Sequence, residues 1–369
     1  MADKFGLRVP LYPREREVQP FTCCVTGATG YVAGVLVHRL LAAGHTVHGT
    51  VRDPTANAKT AHLRALPGAQ ERLRLYKADL MDPSSFDEAV RGCEYVFHVA
   101  SPFVLNVKED EVEQRLVGPA VQGTTSVLQA VTKSGSVKAV VLTSSVAAVY
   151  GKLDERGEGH VFTEEDWDIS ASPTYNPYSY SKTVAERKAW ELYEQQANQP
   201  NAWRLATINP AFVMGPPLSL SPAESISFCS SMLSGKFSFI APAIAMGWVD
   251  VEDVAAAHVL AAITPNAEGR YICVGETGDM VSMLRRAGAK CQPPRKFVGP
   301  SPPRWVWWTL CNVFRALPWE LVATSLFKEL KFDTSKIQRD LGIRFKDPAE
   351  SIADMAVAIE QLKKNEKVN

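Results

Sequence analysis

The run PYSYSKTVAER, residues 177–187, places two tyrosines, two serines and a lysine within one turn and a half of expected helix. From Thr183 onward the residues are acceptable to good helix formers with no Gly or Pro, and Pro177 suits a first-turn position. Residues four apart share a helix face, so Tyr178 and Lys182 are neighbours while Tyr180 points elsewhere. Tyr175, two residues before the proline, falls outside the helix. An ammonium beside a phenol favours the phenolate and lowers a pKa otherwise near about 10, which would make Tyr178 a proton donor at neutral pH. The same spacing also arises where a surface tyrosine packs on a lysine stem. The elements around the pair must decide.

The first part of the chain alternates strand and helix signals. FTCCVTG (21–27) is a short apolar run, followed by helical periodicity from Tyr31 to Ala43. HTVHGTVR (45–52), RLRLYKAD (72–79), CEYVFHVAS, VKAVVLTSS (137–145) and WRLATINP (203–210) read as further strands. Helices are expected to Leu66, after Asp82 with Gly92 as stop, from about 108 to 133, and after Tyr178. Apolar, β-branched strands alternating with helices predict an α/β fold: a doubly wound (Rossmann) parallel sheet covered on both faces. The reading divides the chain into an arm (1–20), a dinucleotide-binding domain (21–210, with 246–264 returning to it) and a smaller, irregular substrate-binding region (211–245 and 265–369). In that region only VEDVAAAHVLAAI (251–263) and a last helix, about 348–364, look regular.

VTGATGYVAGVL puts Gly27, Gly30 and Ala33 at the turn from the first strand into the first helix. Gly27 permits the tight turn, Gly30 lets backbone approach a pyrophosphate, and Ala33 keeps the helix close to the sheet. The helix N-terminus then offers N–H groups to phosphates. The second strand ends in Val51-Arg52-Asp53-Pro54, where NAD-binding proteins carry an acid for the ribose. Arg52 can meet a 2′-phosphate with two parallel hydrogen bonds, and Lys59 adds a second charge. Asp53 precedes a proline and suits a turn or helix cap. The cofactor expected is NADP(H).

Lys plus Arg equals Asp plus Glu, 40 against 40, so no bulk charge recruits nucleic acid or anionic membrane. Seven scattered cysteines, with no metal-ligand spacing, imply reduced thiols in the cytoplasm and no metal. The N-terminus is charged and Pro-interrupted and lacks the apolar core of a signal peptide. No stretch approaches the roughly 20 apolar residues a spanning helix needs. RWVWWTLCNVFRALPWELVATSLFKELKF (304–332) reads as a helix pair over the substrate cleft, divided at Pro318. Its alternative is peripheral membrane contact, with Arg304, Arg315, Lys328 and Lys331 near headgroups. A monomer or homodimer acting on a small carbonyl or alcohol is expected.

TGATGYVA, TVRDP, FHVASP, VVLTSS, YSYSK and NPAFVMGP occur in the order of the extended short-chain dehydrogenase/reductase family. Over about residues 21–365 the chain resembles its dihydroflavonol 4-reductase, cinnamoyl-CoA reductase and aldehyde reductase branch. The resemblance implies a carbonyl reductase with Tyr178 as proton donor, Lys182 on the nicotinamide ribose and Ser145 on the substrate oxygen. It implies cofactor contacts from Thr26, Gly27, Thr29, Gly30, Tyr31 and Val32, a 2′-phosphate pair in Arg52 and Lys59, and an adenine site at Asp79 and Leu80. Val99, Ala100 and Ser101 would flank the cofactor, and Pro210 and Val213 would hold the carboxamide. Phe103, Tyr150, Phe212 and Met214 follow strand ends on the cofactor side and are expected to line the substrate cleft. Two positions depart from the family pattern. Ala120 stands where many members have a proton-passing Asn, which leaves water near Lys182 to serve. Tyr150 stands where flavonoid reductases have an Asn. The competing readings are a 3β-hydroxysteroid or sterol-type dehydrogenase and a non-catalytic NADP-binding sensor.

Overall fold

The computed structural model describes residues 11–101, 109–313 and 319–368; Phe103, Arg315 and Pro318 lie outside them. The strands are β1 (Thr22–Val25), β2 (Thr46–Val51), β3 (Leu73–Lys77), β4 (Tyr95–His98), β5 (Ala139–Thr143), β6 (Val161–Phe162), β7 (Arg204–Pro210), β8 (Phe212–Met214), β9 (Ala245–Asp250), β10 (Gly269–Cys273), β11 (Glu276–Asp279) and β12 (Lys331–Phe332). Seven of them form one parallel sheet in the order β10-β7-β5-β4-β1-β2-β3. The period of two along β5 shows why both faces are apolar. Val140 and Leu142 enter the core under the helices Gly118–Ser134 and Pro177–Gln196, and Val141 enters the core under Tyr31–Ala42 and Val251–Ile263. Strand order reverses between β1 and β4, so a crevice opens beyond their carboxyl ends.

The region after Pro210 is more regular than its Pro- and Ser-rich sequence suggests. Strands β8, β9 and β11 form a three-stranded sheet, and the helices Glu224–Leu233, Met280–Lys290 and Pro348–Val368 build a second core around Trp248. Two assignments change. Ala245–Asp250 pairs with β8 and β11 rather than returning to the main sheet, and only Val251–Ile263 packs on it. Gly269–Cys273, expected in the substrate-binding region, is the seventh strand of the main sheet, paired with β7. Its GRYIC sequence carries a buried Arg270, which breaks the apolar run that marks a central strand.

The expected helix from about 108 is irregular at first, a 3-10 turn at Glu109–Glu111 and a π-turn at Glu113–Val117, and becomes regular α-helix at Gly118. Pro119 has no N–H to bond backward, so the ladder restarts there. The described part of the N-terminal arm, from residue 11, packs against the main domain. Its short helix Pro13–Glu17 inserts Glu15 beside Arg39, Nε–Oε1 2.7 Å, with both side chains almost fully buried. In Arg304–Asn312 the indole of Trp307 is buried in the second core, while Trp305 is 71% exposed. Among the described residues, no helix is long and apolar enough to cross a membrane.

Candidate active site

The tyrosine helix starts at Asn176, whose left-handed backbone (φ 52°) turns the chain and whose side chain accepts from the Ser179 N–H at 3.4 Å. Asparagine tolerates this conformation better than other non-glycine residues. Pro177 follows in the first turn, which aims Tyr178 and Lys182 along one face. Ser145 sits just past β5, where its hydroxyl accepts from the Ala147 N–H at 3.1 Å and caps the turn Val146–Ala148. The Ser145 hydroxyl stands near enough to the Tyr178 phenol to favour its ionised form. Lys182 Nζ lies 5.8 Å from the Tyr178 ring centroid and donates to Ser101 Oγ at 3.0 Å. Ser101, Ser145, Tyr178 and Lys182, drawn from three separate stretches of chain, thus meet at the carboxyl end of the sheet. Ser144, the neighbouring hydroxyl, turns the other way and donates to Glu186.

The electrostatics correct one expectation. Tyr178 is not depressed toward neutrality but pushed up to about 12, first by burial and then by the charge of Glu224, against a lowering by the Ser145 hydroxyl. A phenolate removed from water loses solvation that one hydroxyl does not replace, and the ammonium is turned to Ser101. Lys182 is itself pushed down to about 8 by burial, against a raising by Glu186. Near pH 7 the pair is therefore a protonated phenol beside an ammonium.

The loop after β1 fits a dinucleotide. Gly27 has φ 65°, and a Cβ there would stand 3.0 Å from the Ala100 Cβ, so only glycine lets the loop and the β4 turn approach so closely. Thr26, buried, accepts from the N–H groups of Val99 and Ala100 at 3.1 and 3.0 Å and faces His98 Nδ1 at 2.9 Å. Thr29, Gly30 and Val32 form the partly open lip of the crevice. The Tyr31 hydroxyl instead donates to the Gly215 carbonyl at 2.7 Å and ties the lip to the second region. Arg52, just past β2, and Lys59, in the helix Asn57–Arg64 that follows, are both exposed, and neither makes an ion pair among the described residues. Asp53 accepts from Thr55 N and Oγ1 at 2.8 and 2.6 Å, which closes a local turn. This donor set fits a 2′-phosphate. Asp79 is exposed and caps its own turn through the Met81 N–H, and Leu80 lies against Gly123, where any Cβ would clash.

On the substrate side, Pro210 ends β7 and Val213 is half-buried in β8. Phe212 is half-buried and meets the rings of Phe228 and Trp248 edge-on at 5.3 and 5.6 Å. Tyr150 packs against Phe162, tilted, at 5.1 Å and meets Phe332 edge-on at 5.6 Å. Met214 is 0% exposed inside the second core with Ile226 and Cys229, so it does not line the cleft. Period two along β8 sends it to the opposite face from Val213. Phe103 lies outside the described residues. A groove of about 820 Å³ borders β9, β11 and residues 327–331, and none of Ser145, Tyr178 or Lys182 lines it. Among the described residues no cluster of side chains could hold a metal ion.

Sequence reasoning missed four residues around the site: His98, Glu186, Asn209 and Arg270. Glu186 had a signal, since it repeats the four-residue step from Tyr178 to Lys182. The others come from distant strands. His98 and His258 are buried and pushed down to about 3 and about 4, mainly by burial. Below the ordinary imidazole range the unfolded chain takes protons that the folded chain refuses. Stability is therefore expected to fall as pH drops from about 6.5 to about 4, by up to roughly 1.4 kcal/mol per pH unit for each imidazole. Urea denaturation at successive pH values measures this; in His258→Asn the slope should flatten, and an unchanged slope would contradict it.

Residues 23–275 match the NAD dependent epimerase/dehydratase family. The chain belongs to this family. It corresponds to the extended short-chain dehydrogenase/reductases, and the similar members are reductases. Cinnamoyl-CoA reductase CAD2 of Medicago truncatula is 41% identical over 285 residues, 76% of this chain and 84% of that protein. Tetraketide alpha-pyrone reductase 1 of Arabidopsis thaliana is 37% identical over 344 residues, 92% of this chain and 95% of that protein. Among solved structures, Gre2 of Candida albicans in complex with NADPH superposes with a TM-score of 0.74 at 30% identity, covering 93% of this chain and 99% of that one. Yeast methylglyoxal/isovaleraldehyde reductase Gre2, complexed with NADPH, gives a TM-score of 0.76 at 25% identity over 93% of this chain and 99% of that chain.

Proposed function

We propose that this family member is an NADPH-dependent reductase that converts an aldehyde or ketone to the alcohol through Ser145, Tyr178 and Lys182. The observation that carries the reading is the gathering of Ser145, at the end of β5, with Tyr178 and the Lys182 ammonium 5.8 Å from its ring, at the end of the crevice that begins with the Gly27 loop. NADPH, when bound, supplies the hydride to the carbonyl carbon. Ser145 and Tyr178 then hold the carbonyl oxygen, and as negative charge builds there Tyr178 gives up its phenolic proton, so the product is the neutral alcohol. The cost of forming a phenolate in this buried position is offset by the Ser145 hydroxyl and the nearby ammonium. Retention of all three residues disfavours a sensor that only binds the dinucleotide. The free, buried state of every cysteine is consistent with a reducing, cytoplasmic setting.

Turnover of isovaleraldehyde, cinnamoyl-CoA and a dihydroflavonol, each with NADPH and with NADH, tests the reading. NADPH is expected to be preferred, because Arg52 and Lys59 are free to pair with a 2′-phosphate. Losing one charge-assisted contact in Arg52→Ala costs about 1.5–3 kcal/mol, or roughly tenfold or more in NADPH affinity, with NADH affinity little changed. Equal use of both cofactors by the natural chain would refute the assignment of Arg52.

A further inference from the structure

We propose that Glu186 is a positioning residue of the active site, holding the Ser144–Ser145 strand end against the tyrosine helix and supplying the negative charge that Lys182 faces. The inference rests on the Ser145, Tyr178 and Lys182 reading. Glu186 is 1% exposed, two helical turns beyond Tyr178 and one beyond Lys182. Its Oε2 accepts from the Ser144 hydroxyl and from Asn209 Nδ2 at 2.8 Å. Its Oε1 accepts from Arg270 Nε at 2.7 Å, Thr207 Oγ1 at 3.1 Å and Trp190 Nε1 at 3.4 Å. These partners lead back to the catalytic serine. Asn209 Nδ2 also donates to the Ser145 carbonyl at 3.1 Å, and Arg270 Nη2 donates to the Ala148 carbonyl at 3.2 Å, at the end of the turn that Ser145 caps. Every group that faces Glu186 is a donor, so an acceptor-only carboxylate satisfies the set and a neutral amide, with two hydrogens of its own, does not. A buried ion pair of this kind contributes less to stability than to geometry.

Glu186 also faces Lys182, with no direct ion pair between them. A small chamber of about 20 Å³, room for one water, lies between them and is also lined by His98, Ala120 and Thr124. Its wall from the helix Gly118–Ser134 carries no charge. The remaining titratable neighbours are His98 and, behind Thr143, His258, both neutral; Glu224 acts on Tyr178; and Arg270 faces the far side of Glu186. Glu186 is thus the anion that the Lys182 ammonium faces across the chamber, and removing its charge makes protonated Lys182 harder to maintain.

The test is the pH dependence of NADPH oxidation in Glu186→Gln, using whichever of isovaleraldehyde, cinnamoyl-CoA and a dihydroflavonol is turned over fastest. The alkaline limb of kcat is expected to move down by about one pH unit, with KM for NADPH little changed. A limb that stays in place while activity falls uniformly would mean a merely structural residue and overturn the proposal. Ser144→Ala provides a second arm should Glu186→Gln not fold. It removes one tether and keeps the charge, so kcat should fall about tenfold with the limb unmoved; full turnover in this variant would also overturn the proposal. Tyr178→Phe in the same assay separates the two claims. If it stays active, the reading of the site fails; if it is inactive while the Glu186→Gln limb is unmoved, only the role of Glu186 fails.

Discussion

Tyr178→Phe is expected to lower turnover by about 10²–10⁴-fold while NADPH binding, followed by fluorescence or calorimetry, stays intact. Hydride delivery leaves an alkoxide that must meet a proton, and Tyr178 is the phenol that stands near Ser145 and Lys182. Because burial holds the tyrosine near about 12, it is fully protonated across the neutral range. Proton supply should not limit the rate on the acid side. Lys182→Ala should damage both turnover and cofactor affinity, since its ammonium lies 5.8 Å from the phenol ring and bonds Ser101 beside the expected nicotinamide ribose. Tyr180→Phe is the internal control on a different face of the same helix and should be nearly silent. Full activity in Tyr178→Phe with loss in Tyr180→Phe would displace the register of the whole site.

Arg270→Met is expected to cost about 3–5 kcal/mol of folding stability, read as a lower urea midpoint at constant slope. The side chains of Arg270 and Glu186 are 7% and 0% exposed, and they sit on a strand of the central sheet and on the helix packed against it, neither of which can swing out to water. Deleting the guanidinium strands the carboxylate, and it also removes donors to the Ala148 and Glu164 carbonyls and the stack on Trp167. The exposed pair Lys138–Glu94 sets the contrast, with side chains 64% and 37% exposed. There Lys138→Met should cost no more than about 1 kcal/mol. If Arg270→Met were equally mild, the buried pair would not be organising the strand end. The double variant Glu186→Gln, Arg270→Met should recover part of the loss, because no charge is then left unpaired.

The parts of this protein legible in the sequence are those that depend on neighbours along the chain. Strand and helix alternation through residue 210, the Gly27 turn, the Asp53 turn and the shared face of Tyr178 and Lys182 follow from periods of 2 and 3.6 residues and from local backbone freedom. The NADP expectation was similarly local, because one strand end carries Arg52 and its competing acid closes on Thr55 two residues later. What only the tertiary structure decided depends on groups meeting from afar and on what they lose in leaving water. Glu186 and Arg270 are 84 residues apart in the chain, and no spacing rule joins them. Strand β10 was hidden because its arginine makes it look polar until that partner is in place. Met214 reads as a residue of the cleft from its place after a strand, but its side of the small sheet faces the second core. The proton affinity of Tyr178 is the plainest case. Its sequence neighbours predicted a depressed pKa, and burial reversed the sign, because solvation of a charge is set by the whole fold around it and not by the residue four positions along.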